Sequence, residues 1–216
     1  MARAVLVVPF LVATSTALAA PAALATSPVT RDQLPAGATV RGATLERAFT
    51  YRDKRGTHYV VMSSTDTPGK GDRVGPSRAI FVDDWLVAGT AKPRSLLPIR
   101  DFTNDCQMGG VNARFHDAAT TVTDLDHDGT AELTIAYELS CRSDVSPATY
   151  KLLLTTNGAK YILRGETRID SDGNGLIAGG SFTPDPAAPR WPAPFLAHAK
   201  SLWSATADDQ ESPPHH

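Results

Sequence analysis

Apolar residues recur mainly at every second position along this chain, the period of a strand with one buried face. From Thr39 the alternation runs through Val40, Ala43, Leu45 and Phe49 to Tyr51, and it resumes at His58-Tyr59-Val60-Val61-Met62. The turn residues Asp53 to Gly56 lie between, so this stretch predicts a hairpin. Asp66 to Gly75, with Pro68 and three glycines, predicts an exposed loop. A strand over Arg78 to Val82 then leads through Asp83-Asp84 to Trp85-Leu86-Val87, with another extended segment near Leu96 to Phe102. Thr120 to Thr123 is β-branched throughout, and Leu133, Ile135, Tyr137 and Leu139 alternate with Thr134, Ala136 and Glu138. Tyr150 to Thr155 and Tyr161 to Ile169 flank Asn157-Gly158, a strong hairpin signal. Only Phe195, Ala199, Leu202 and Trp203 recur at helical spacing. The pattern predicts a mainly β fold, either an antiparallel sheet or a sandwich or propeller-like meander, with one C-terminal amphipathic helix.

The first residues stand apart. Arg3 precedes an apolar run from Ala4 to Ala13, and small residues suited to a signal peptidase follow at Ala17-Leu18-Ala19 and Ala23-Leu24-Ala25. Residues 1–25 therefore read as a secretory signal peptide, with cleavage after Ala25 preferred and after Ala19 as the alternative. The run is too short to span a bilayer, and no later stretch is longer, so no membrane span is expected in the mature protein. Residues 26–38 read as a flexible N-terminal lead, 39–207 as a single domain and 208–216 as a disordered tail. The expected location is secreted or periplasmic. A net charge of -2 over 216 residues, with the basic residues scattered, offers nothing to a phosphate backbone, and nucleic acid is not expected as a partner. In an oxidising compartment, the only two cysteines, Cys106 and Cys141, are expected to form a disulfide.

Asp124-Leu-Asp-His-Asp-Gly-Thr-Ala-Glu132 carries the most definite chemistry. Asp124, Asp126 and Asp128, the backbone carbonyl of Thr130 and the carboxylate of Glu132 can converge on one hard cation, with Gly129 permitting the bend. A plain turn would explain Asp128-Gly129 but not the crowding of the other carboxylates, which a divalent cation relieves. Oxygen-only donors favour calcium over zinc. His127 falls between ligands and should point outwards. An EF-hand is disfavoured, because the flanks read as strands and the twelfth loop position is Ile135. Asp170 to Asn174 alternates oxygen ligands too, but it lacks a following acid and reads as a turn rather than a second cation loop.

Asp124 to Glu132 resembles the strand-loop-strand calcium motif of FG-GAP and integrin-α-type repeats, which implies the same five ligand positions. A longer set of residues, from Val122 through Tyr137, Cys141-Arg142, Asp144-Val145-Ser146-Pro147 and Lys151 to the Phe195–Trp203 helix, resembles a family of secreted bacterial proteins labelled as surface polysaccharide biosynthesis proteins. The chain has no Gly-x-Ser-x-Gly elbow, no His-Glu-x-x-His helix, no phosphate-cradling loop and no dinucleotide fingerprint. Asp83-Asp84, or Asp105 with Asp144, could form a carboxylate pair but read as solvated loop acids. His58, His116 and His198 read as surface or satisfied histidines. Arg142 and Asp144 read as a salt bridge or turn cap ahead of a recognition patch, and Trp85 and Trp191 are the open aromatic positions for a sugar. The expectation is an exported, non-enzymatic calcium-binding module with a glycan or envelope protein as partner. The alternative is an enzyme or accessory factor of surface polysaccharide biosynthesis.

Overall fold

The computed structural model describes residues 23–96, 98–107, 109–170 and 177–209. Among these residues, two main antiparallel sheets and one α-helix form three layers. The first sheet contains β1 (Ser27–Pro28), β2 (Thr44–Asp53), β3 (Gly56–Thr67), β4 (Ser77–Val87), β5 (Arg94–Ser95) and β6 (Ile99–Thr103), with β5 and β6 both paired to β4. The second is a meander of β7 (Gly110–Thr123), β8 (Glu132–Arg142), β9 (Thr149–Thr156) and β10 (Ala159–Glu166). Beyond it β11 (Arg168–Asp170) and β12 (Ile177–Gly179) form a ribbon, and β13 (Phe182–Asp185) returns to pair with β10. Neither sheet closes into a barrel. The expected second cation loop at Asp170 to Asn174 lies outside the described residues.

Alternation decides which side chains meet. Phe49, Tyr51, Val60, Met62, Ile80 and Val82 from the first sheet pack against Val122, Leu133, Ile135, Tyr137 and Leu153 from the second. The opposite face of the second sheet, with Tyr150, Leu152, Leu154 and Leu163, carries the helix. That helix, α1 (Ala193–Thr206), has Pro194 in its first turn, where a missing N–H costs nothing. It buries Phe195, Ala199 and Trp203 with Leu202 alongside, which is the predicted stripe. The two-residue turn at Asn157-Gly158 adopts φ of 44° and 82°, as its sequence requires.

Within residues 26–38, Ser27–Pro28 pairs with β2 and Val29 donates its N–H to the Ala48 carbonyl at 3.0 Å. Leu24, placed ahead of the preferred cleavage site, donates its N–H to the Val122 carbonyl at 2.8 Å and packs on the core between the sheets. Asp208 and Asp209, read as part of the tail, are also held: Asp208 by Arg168 at 2.6 Å and Asp209 by Arg142 at 2.6 Å. No helix among the described residues is long and apolar enough to cross a membrane.

Candidate metal centre

Thr123 and Glu132 are register partners, so the acidic loop leaves and re-enters the second sheet at one point. Leu125 anchors it in the core beneath the helix, and Ala131 anchors it in the core between the sheets. Gly129 at φ 79° and His127 at φ 59° supply the left-handed turns that reverse the chain. The acids then organise the backbone between them. Asp124 Oδ2 accepts the Gly129 N–H at 3.0 Å, Asp126 Oδ1 accepts the Asp128 N–H at 3.3 Å, and Asp128 Oδ1 accepts the Thr130 N–H at 2.5 Å.

Carboxylate oxygens of Asp124, Asp126 and Asp128 all lie within 4.8 Å of one another. That is the separation of opposed ligands about a cation with bonds of about 2.4 Å. Asp124 Oδ1 is buried and accepts no hydrogen bond. Glu132 closes the inner side with 1% of its surface exposed, and its Oε2 accepts the Leu125 N–H at 2.6 Å. Burial pushes its carboxyl up to about 7; the Leu125 N–H opposes this, and the charges of Asp126, Asp124 and Asp128 add to it. Asp128, at the exposed rim, is held below the usual carboxylate range by the Thr130 N–H. Of the five expected positions, Asp124, Asp126 and Asp128 are grouped, while Glu132 and Thr130 are buried at the start of β8 and the exit of the turn.

The turn between β2 and β3 docks on this loop from the other sheet. Lys54 donates its N–H to the Gly129 carbonyl at 2.9 Å, and Asp53 Oδ2 accepts the Ala131 N–H at 3.2 Å. Behind Asp53 lies a buried polar chain. His58 stacks on Tyr51 with ring centroids 4.3 Å apart, and its Nδ1 lies 2.9 Å from Asp84 Oδ1, while Tyr51 donates to Asp84 Oδ2 at 3.1 Å. His58 Nε2 is 3.2 Å from Asp53 Oδ1 but without the alignment of a hydrogen bond. Burial opposes ionisation of Asp53, yet the Arg55 N–H, His58 and the Ala131 N–H hold it below its ordinary range. Sequence reasoning missed Asp53 and Lys54, which carry no local signal beyond belonging to a turn.

Other singled-out residues take structural roles. Asp83 and Asp84 are buried mid-strand and bound to Arg41 and to His58 with Tyr51, so they are not the solvated loop acids expected. Asp105 and Asp144 are exposed as expected; Asp105 accepts the Gly75 N–H at 2.6 Å, and Asp144 caps Ser146. Arg142 reaches the Ser146 carbonyl and Asp209, which is the salt bridge and turn reading. His116 is buried against Glu138 at 2.8 Å, and Glu138 also accepts from Asn112 at 2.8 Å and Arg114 at 2.5 Å. Trp191 is not open: it is buried in the core beneath the helix and donates to the Pro186 carbonyl at 2.7 Å. Trp85 is half-buried, its Nε1 shielded from solvent. Cys106 and Cys141 are joined, their Cα atoms 5.4 Å apart. No family model, curated protein or solved structure matches the chain.

Proposed function

We propose that this is an exported β-sandwich module whose Asp124–Glu132 loop binds calcium and, through it, steadies a surface that engages a glycan or an envelope protein. The carrying observation is the buried, unpartnered Asp124 Oδ1 beside the grouped carboxylates of Asp126 and Asp128. A buried acceptor without a donor is costly, and a hard cation is the ligand that satisfies it together with three neighbouring charges. Asp124, Asp126, Asp128, the Thr130 carbonyl and Glu132 would hold the ion. Export is supported by the composition of residues 1–25 and by the cysteine pair. A binding module is favoured over an enzyme because Asp83 and Asp84 are spent on internal partners rather than facing a substrate.

Calorimetric titration with calcium and with magnesium, alongside melting in chelator, tests the reading. With a dissociation constant typical of extracellular modules, calcium at about ten times that constant adds roughly 1.4 kcal/mol. Asp126→Ala should abolish the response while leaving the metal-free protein no less stable, since it removes one of several like charges. Identical melting in chelator and in millimolar calcium, with no heat of binding, would overturn the site.

A further inference from the structure

Lys54 is the cation that the fold brings to the acidic loop. Its Nζ donates to the Asp128 carbonyl at 2.5 Å and lies 3.4 Å from Asp128 Oδ2. The approach is built in rather than incidental. The Lys54 stem lies along Gly129, so that a Cβ there would sit 3.3 Å from Lys54 Cδ, and the Lys54 N–H is fixed to the Gly129 carbonyl. Asp53, one residue earlier, holds the Ala131 N–H. Arg55, one residue later, turns away to Asp53 and Asn157. Among the described residues, one ammonium therefore meets the rim of the acidic loop, at Asp128.

We propose that Lys54 is a tethered counter-cation of the metal loop, which keeps the loop assembled when metal is absent and sets its affinity for divalent cations low. This rests on the metal reading of Asp124–Glu132. Without metal, the lysine offsets part of the repulsion among the acids and holds the Asp128 carbonyl in place. With a divalent ion bound, the same positive charge repels it. A single charge one side chain away in a water-exposed setting changes divalent binding on the order of fivefold. The loop would respond to calcium at concentrations found outside cells and stay empty below them.

The test is calcium titration by calorimetry of the wild-type chain, Lys54→Met and Lys54→Arg, at low and high salt, with melting in chelator. Lys54→Met should bind calcium about fivefold more tightly at low salt, and the gain should shrink at high salt, where surface charges are screened. It should also melt lower than wild type in chelator, whereas Lys54→Arg should behave as wild type in both. A lysine that merely packs on Gly129 predicts the opposite sign, because its loss would loosen the loop and weaken binding. Equal or weaker binding by Lys54→Met, with wild type binding calcium, overturns this proposal and leaves the metal site standing. Absence of binding by all three proteins overturns the metal site itself, and this proposal with it.

Discussion

Replacing Glu132 with glutamine isolates the cost of holding an acid behind the Asp124–Asp128 loop. In the metal-free protein the Glu132 carboxyl is pushed up to about 7 from an ordinary 4.5, chiefly by burial. Its folded value lies above its unfolded value, so its contribution to stability is full below pH 4.5 and is lost as pH rises through 7. Above that, the native state carries a buried carboxylate among three like charges. The interval from 4.5 to 7, at about 1.4 kcal/mol per unit, sets an upper bound of roughly 3.4 kcal/mol, which water at the loop rim reduces to about 2 kcal/mol. Glutamine keeps the shape and still offers an oxygen to the Leu125 N–H. In chelator, urea unfolding should therefore show Glu132→Gln more stable than wild type by about 2 kcal/mol at pH 8 and no more stable at pH 4.5. At about 10 mM calcium the order at pH 8 should reverse or close, because wild type gains roughly 1.4 to 2.7 kcal/mol and the variant loses a ligand. If Glu132→Gln in chelator is destabilised equally at pH 4.5 and pH 8, Glu132 is not a burden on the metal-free fold.

Two further outcomes are expected. The Cys106–Cys141 bond spans 35 residues, so replacing both cysteines with alanine should cost about 4 kcal/mol in urea unfolding, and unreduced denatured protein should show no reactive thiol. Because Leu24 packs against the core and is bonded to Val122, an exported chain should be processed after Ala19, giving an N-terminus at Ala20 by mass spectrometry. A chain beginning at Thr26 should be less stable than one beginning at Ala20 by about 1 to 3 kcal/mol, and equal stability would remove the reason for preferring the earlier site.

Much of this architecture was legible because strand alternation and the Phe195–Trp203 stripe are local properties. The partition into two sheets was not, since nothing within a strand's own sequence names the layer it faces. The Asp124 loop could be read because its acidic residues follow one another in sequence. Asp83 and Asp84 were misread because an acidic pair interrupts apolar alternation, while their partners lie far off: Arg41 is 42 positions from Asp83, and His58 is 26 from Asp84. Lys54 reaches a carbonyl 74 positions away, a relation that only the stacking of the two sheets creates.

The long β7–β8 hairpin has a consequence of its own. Between His116↔Ala136 and Thr121↔Thr134, β7 carries four residues where β8 carries one, so the ladder contains slack that could migrate along the strands. Migration by one residue would turn every side chain beyond it to the wrong face. The disulfide fastens one end, beside Val111↔Cys141, and the acidic loop fastens the other, beside Thr123↔Glu132. The slack is confined because both ends are tied. One knot is drawn by an oxidising environment and the other, on the reading above, is tightened by dissolved calcium, so the hairpin is held to its register most firmly where both are present.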